Sequence, residues 1–155
     1  MVYDDLLNEA KHHDIDTYEI PLSKRNKGLY ADNVIWINKH LTTNDKICTL
    51  AEELGHYHTT VGNIIDQSKL SNRKQEKQAR NWAYKRLIPL NKIIEAFHQG
   101  IQTKYELAEY LNITEAFLIE ALHRYKEEYG LSKTIGQYTI YFEPLVVLEM
   151  FPDSF

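Results

Sequence analysis

Leu50-Ala51-Glu52-Glu53-Leu54-Gly55-His56-Tyr57-His58 is the stretch on which the reading of this chain turns. Taken back to Thr43 it has helical periodicity. Ile47, Leu50, Ala51, Leu54 and His58 fall on one side, at the i, i+3, i+4, i+7 spacing of a buried stripe. Thr42, followed three residues later by Asp45, marks the helix start. Glu52, Glu53 and His56 lie on the opposite side. Glu52 and His56 are four residues apart and project from neighbouring turns, within reach of one ion. Gly55 costs roughly 1 kcal/mol against alanine inside a helix, a cost that makes sense where another backbone passes close by.

The spacing is that of an H-E-x-x-H helix whose first histidine has become glutamate. In that pattern the two ends hold a metal and the inner glutamate works on water. Glu52 and His56 are therefore candidate ligands, and Glu53 is the candidate general base. Three polar residues opposite a core stripe are also what a solvated helix face looks like. A tetrahedral site open to water needs a third protein ligand, and Glu76 is the candidate. It lines up with Ala79 and Ala83 beside Trp82, and a carboxylate on the core side calls for a cation. A favourable place in the first helical turn, or pairing with Arg73 or Arg80, would equally account for it. His58, in line with the apolar residues, reads as a hydrogen-bonded, partly buried histidine. His12 and His13 read as surface residues near a helix end.

Working outward, a helix is expected from about Val2 to His13 and a short strand at Tyr18-Glu19-Ile20. Leu29-Tyr30 and Val34-Ile35-Trp36-Ile37 flank the turn-forming Ala31-Asp32-Asn33, which predicts a hairpin. The Val34 to Ile37 strand could hold a peptide by edge pairing. Polar residues around Asp66 to Ser71 suggest a loop before a helix from about Asn72 to Leu87. Beyond Pro89 the pattern turns helical: Asn91 to Gln99, then a helix from the Thr103/Glu106 capping pair to Leu111, then one from Thr114 to Tyr129. Tyr138 to Phe142 is strand-like and stops at Pro144. A boundary near Pro89 divides the chain into residues 1–89 and 90–155.

The composition narrows the class. With 43% hydrophobic and 26% charged residues over 155 positions, the chain is an ordinary folded protein. A net charge of -4 gives no general basic footprint for nucleic acid or anionic membrane. The one cysteine, Cys48, cannot form an intrachain disulfide, which favours a reducing compartment. The N-terminus lacks the basic and apolar blocks of a signal peptide, and no apolar run approaches the ~20 residues that span a bilayer. A cytoplasmic protein without membrane association is the expectation.

Leu50 to Thr60, followed by Gln75-Glu76-Lys77-Gln78-Ala79-Arg80-Asn81-Trp82-Ala83 and Leu87-Ile88-Pro89, resembles the ImmA/IrrE family of metallopeptidases, frequent in prophages and integrative elements. Gly28 to Ile37 and the tail from Tyr138 to Glu149 look like phage members. The resemblance implies an α+β fold: a zincin-like metallopeptidase domain with a short antiparallel sheet over residues 1–89. A helical, helix-turn-helix-like subdomain with a terminal strand would follow over residues 90–155. It implies metal-dependent cleavage of a helix-turn-helix repressor, relieving repression of the mobile element. Carried onto this chain, Glu53 matches the catalytic glutamate, His56 the second histidine ligand and Glu76 the downstream glutamate ligand. Glu52 stands where the first histidine would be. Zinc accepts carboxylate oxygen at about 2.0–2.2 Å, so Glu52 could ligate without remaking the fold. The harder donor set moves preference from zinc toward manganese.

Tyr105 to Leu122 reads as two helices joined by a tight turn. A DNA reader would present the N-terminal residues of its second helix to base edges. Here that end carries Glu115 and Glu120, with no arginine or lysine before Arg124, which argues against direct DNA binding. The expected role is docking of a repressor substrate. Two other readings remain: a catalytically inactive repressor-binding protein that has lost its metal, and a helix-turn-helix transcription factor.

Overall fold

The computed structural model describes residues 2–59 and 69–150. Along the chain lie α1 (Val2–His12), β1 (Asp16–Ile20), β2 (Gly28–Ala31), β3 (Val34–Asn38), α2 (Thr43–Thr59) and α3 (Lys69–Leu87). They are followed by α4 (Leu90–His98), α5 (Lys104–Leu111), α6 (Glu115–Tyr129), β4 (Ser132–Ile135), β5 (Tyr138–Phe142) and β6 (Leu145–Glu149). The chain is thus α+β. It divides into two compact units, Met1–Leu87 and Ile88–Phe155. The polar stretch read as a loop falls partly outside the described residues, and α3 begins at Lys69, before the expected Asn72.

In the first unit the β2–β3 hairpin forms as the sequence predicts. Asp32 and Asn33 both take positive φ, 49° and 61°, the backbone that a two-residue turn between twisted strands requires. The sheet is not wholly antiparallel, because β1 pairs with β3 in parallel. The strand order β1-β3-β2 puts β3 in the middle. This overturns the expectation that Val34 to Ile37 offers a free edge to a peptide. Ile35 and Ile37, both fully buried, account for the placement: the most apolar strand takes the centre. Among the described residues the edge on the hairpin side belongs to β2. α1 and α2 bury their apolar stripes beside this sheet, and α3 packs on α2. Leu6 and Ala10 of α1, Leu50, Ala51 and Leu54 of α2, and Ala79 and Ala83 of α3 are all closed to solvent.

In the second unit Thr103 caps α5 by accepting from the Glu106 amide, and Asn112 ends that helix in the left-handed conformation. Thr114 then caps α6 by accepting from the Phe117 amide at 3.1 Å. Removing that oxygen in Thr114→Ala leaves an orphan amide. The expected cost is about 1 kcal/mol, read as a lower urea midpoint with an unchanged slope. Tyr125, on the buried face of α6, donates to the Ile88 carbonyl at 2.8 Å. One terminal strand was expected and the structure has three, forming the antiparallel meander β4-β5-β6. Pro144 ends β5 only to sit in the turn that starts β6, and the polar Ser132-Lys133-Thr134 hides β4 from an apolar-pattern reading.

Candidate active site

α2 carries the site. Its first turn is held by Thr42, whose hydroxyl accepts from the Asp45 amide at 3.2 Å. Ile47, Leu50, Ala51 and Leu54 form the buried stripe as the spacing predicts. Cys48, Thr49 and Gly55 are buried too, because α2 has the sheet on one side and α3 on another. Glu52, Glu53 and His56 are consequently half-buried, and the fully solvated face is excluded.

Gly55 explains the meeting of the two helices. A Cβ there would sit well inside contact distance of the Ala79 carbonyl oxygen and 3.0 Å from its carbonyl carbon. α3 therefore lies directly against the α2 backbone. Across this seam His56 Nε2 and Glu76 Oε1 stand 3.3 Å apart. Glu76 is not a core residue: its side chain is 53% exposed, so it reaches His56 from the rim while Ala79 and Ala83 take the buried positions. Glu53 lies deeper. Burial pushes its carboxyl up to about 8, and the neighbouring Glu52 and Glu76 carboxylates add to the effect, in that order.

His58 is partly buried as expected, but it packs by its ring. Its ring stacks on Trp82, with centroids 4.5 Å apart and planes 21° from parallel, and His13 meets it edge-on. Its buried Nε2 makes no hydrogen bond among the described residues. Glu9 stands 3.8 Å away and accepts from Arg86 Nε at 2.9 Å. Burial lowers the His58 pKa and His13 lowers it further, while Glu9 opposes them. His12 binds the Asn8 carbonyl at 2.8 Å on the exposed end of α1.

The fit of a divalent cation follows from the donor chemistry. Three carboxyls and an imidazole come together, and the most buried carboxyl is driven toward its neutral form, as expected of a set that lacks positive charge. His56 and Glu76 converge as two donors. Among the described residues no group of three His, Cys, Asp or Glu side chains has metal-holding spacing. Glu52 is close enough to raise the Glu53 pKa, but it is not drawn into a three-donor group.

A helix bearing a half-buried glutamate beside a histidine–glutamate pair, joined to a small sheet, is consistent with a metallopeptidase-like domain. The chain belongs to the IrrE N-terminal-like domain family (Peptidase_M78), whose model matches residues 10–123. This family is metal-dependent in general. A search of curated proteins finds no significant match. Among the described residues no helix is long and apolar enough to cross a membrane.

Proposed function

We propose that this protein is a cytoplasmic, metal-dependent endopeptidase that cleaves a helix-turn-helix repressor of a phage or other mobile element. The observation that carries the reading is the buried Glu53 carboxyl set beside the converging His56–Glu76 pair. His56 and Glu76 would hold the ion, with Glu52, one turn from His56 on α2, as the third protein ligand. Zinc is the expected ion, and the oxygen-rich donor set would also accept manganese. When bound, the ion polarises the scissile carbonyl and makes the attacking water more acidic.

The chain supplies the remaining steps. Glu53 takes a proton from the attacking water at its carboxylate and returns it to the leaving amine. Its recess keeps bulk water from competing for that proton. The outer edge of β2, unpaired among the described residues, offers main-chain partners to an extended peptide, and pairing there would lay the peptide beside Glu53. The helices α5 and α6 would dock the repressor. Glu115 and Glu120 are exposed at and near the start of α6, which disfavours a transcription factor that reads DNA through this helix.

A second reading is favoured by one observation, the lack of a three-donor group among the described residues. In it the fold binds the repressor without cleaving it. Metal analysis of protein purified without chelator, with cleavage assays of the cognate repressor by native and Glu53→Ala protein, separates the two. The peptidase reading expects one ion per chain and cleavage by the native form alone. A metal-free, inactive protein that still binds the repressor would establish the second reading.

A further inference from the structure

We infer that Gly28 is a positioning residue for Glu53: its missing side chain sets how closely β2 lies on α2, and so where the Glu53 carboxyl stands. The inference rests on the peptidase reading for its kinetic consequence, but not for its geometry.

Glycine weakens a strand and commonly marks a place where something approaches closely. Gly28 does not have a positive φ, so conformational freedom is not its purpose. The space it leaves is. A Cβ at this position would lie 2.6 Å from the Thr49 methyl carbon, 3.0 Å from the Trp36 carbonyl oxygen and 3.5 Å from Glu53 Cγ. The first two cannot easily yield, and the third is an ordinary contact. Thr49 is buried and β-branched on a helix, where its χ1 is restricted. The Trp36 carbonyl belongs to β3, which is paired with β2 at this register. Glu53 Cγ, at 3.5 Å, would only touch the new Cβ. Any side chain at position 28 therefore moves β2 off α2, the helix that carries Glu53.

The seam continues one residue pair along. Tyr30, on the same face of β2 as Gly28, meets Tyr57 edge-on with centroids 6.2 Å apart. Tyr57 is four residues beyond Glu53, as Glu53 is four beyond Thr49. The strand thus runs along the helix with bulk at one position and none at the other. The bare position lies over Thr49 and beside the Glu53 Cγ.

The test uses the full chain in four forms: wild type, Gly28→Ala, Thr49→Ser and Gly28→Ala/Thr49→Ser. Thr49→Ser removes only the methyl that the new Cβ would strike. Two readouts are taken: repressor cleavage by metal-loaded protein, and the 13C side-chain resonances of Glu53 in metal-free protein at one pH. Gly28→Ala is expected to lower kcat about 100-fold, the scale of an ångström misplacement of a reacting group, with KM within about twofold. Its Glu53 resonances should move. Thr49→Ser alone should leave both readouts unchanged, and in the double variant both should return toward wild type.

Wild-type kcat with unmoved Glu53 resonances in Gly28→Ala overturns the inference, as does a loss that Thr49→Ser fails to rescue. If Gly28→Ala does not fold, the double variant is compared with Thr49→Ser. Resonances matching there support the inference, and a tenfold lower kcat there overturns it. If the wild type cleaves nothing, the peptidase reading fails, and the Glu53 resonances still decide the role of Gly28.

Discussion

Glu53→Gln is expected to stabilise the metal-free protein by about 2–3 kcal/mol at pH 7 while abolishing peptide cleavage. The sign follows from proton binding. The Glu53 carboxyl titrates at about 8 in the fold against an ordinary value of 4.5. Between those values the folded chain keeps a proton that the unfolded chain has released, so stability falls as pH rises through this window. At roughly 1.4 kcal/mol per pH unit, with some relief from the partial exposure of the side chain, the deficit approaches its full size near pH 8. Glutamine keeps the shape and removes the charge. Melting curves in chelator should nearly coincide at about pH 4.5 and separate steadily toward pH 8. Parallel curves from pH 5 to 9 would show that Glu53 is not held in its neutral form. Manganese should narrow the gap in the wild type, because a nearby cation favours the carboxylate.

Why a stabilising change should be absent from the natural chain is answered by the chemistry proposed for it. A carboxyl poised near neutrality can take a proton and return it, whereas an amide can do neither. The cost in stability is what such a group imposes on a fold that places it in a recess beside two further carboxylates.

Much of the site was legible in the sequence because it rests on local periodicity. The stripe from Ile47 to Leu54 fixes which side of α2 is buried, and the i, i+4 spacing alone puts Glu52 and His56 on adjacent turns. The hairpin was legible from Asp32-Asn33, and the helix starts from Thr103 and Thr114, since each acts within a few residues of itself. What escaped depends on partners distant in sequence. Nothing near Asp16–Ile20 says that β1 will join β3 in parallel, so the sequence alone leaves β3 at an edge. The exposure of Glu76 could not be inferred from its alignment with Ala79 and Ala83, because the width of the seam between α2 and α3 decides which of the three is covered. Gly28 carried a usable signal, a glycine inside a strand pattern, but what it makes room for is visible only once α2 lies beside it.

That seam supports the other large prediction, Gly55→Ala. Helix propensity by itself would make alanine the better residue by about 1 kcal/mol. Packing opposes it and should win. The new Cβ would press on the carbonyl oxygen of Ala79, lie 3.0 Å from its carbonyl carbon and lie 3.1 Å from its Cα. All three are backbone atoms, so no rotamer change relieves the contact and the helices must part. Overpacking of this kind costs about 1–3 kcal/mol or more. For a unit of this size each kcal/mol lowers the melting temperature by about 4–8 °C, so a fall of about 10 °C is expected. The effect on the site should be just as clear. His56 adjoins Gly55, and its 3.3 Å approach to Glu76 spans the same seam, so parting the helices pulls the two donors away from a shared point. Calorimetry should show a lower melting temperature, and titration with zinc or manganese should show weakened binding even where the protein remains folded. A variant as stable as the parent would mean that helix propensity outweighs the contact with Ala79, and the close seam could then no longer explain why a glycine stands beside His56.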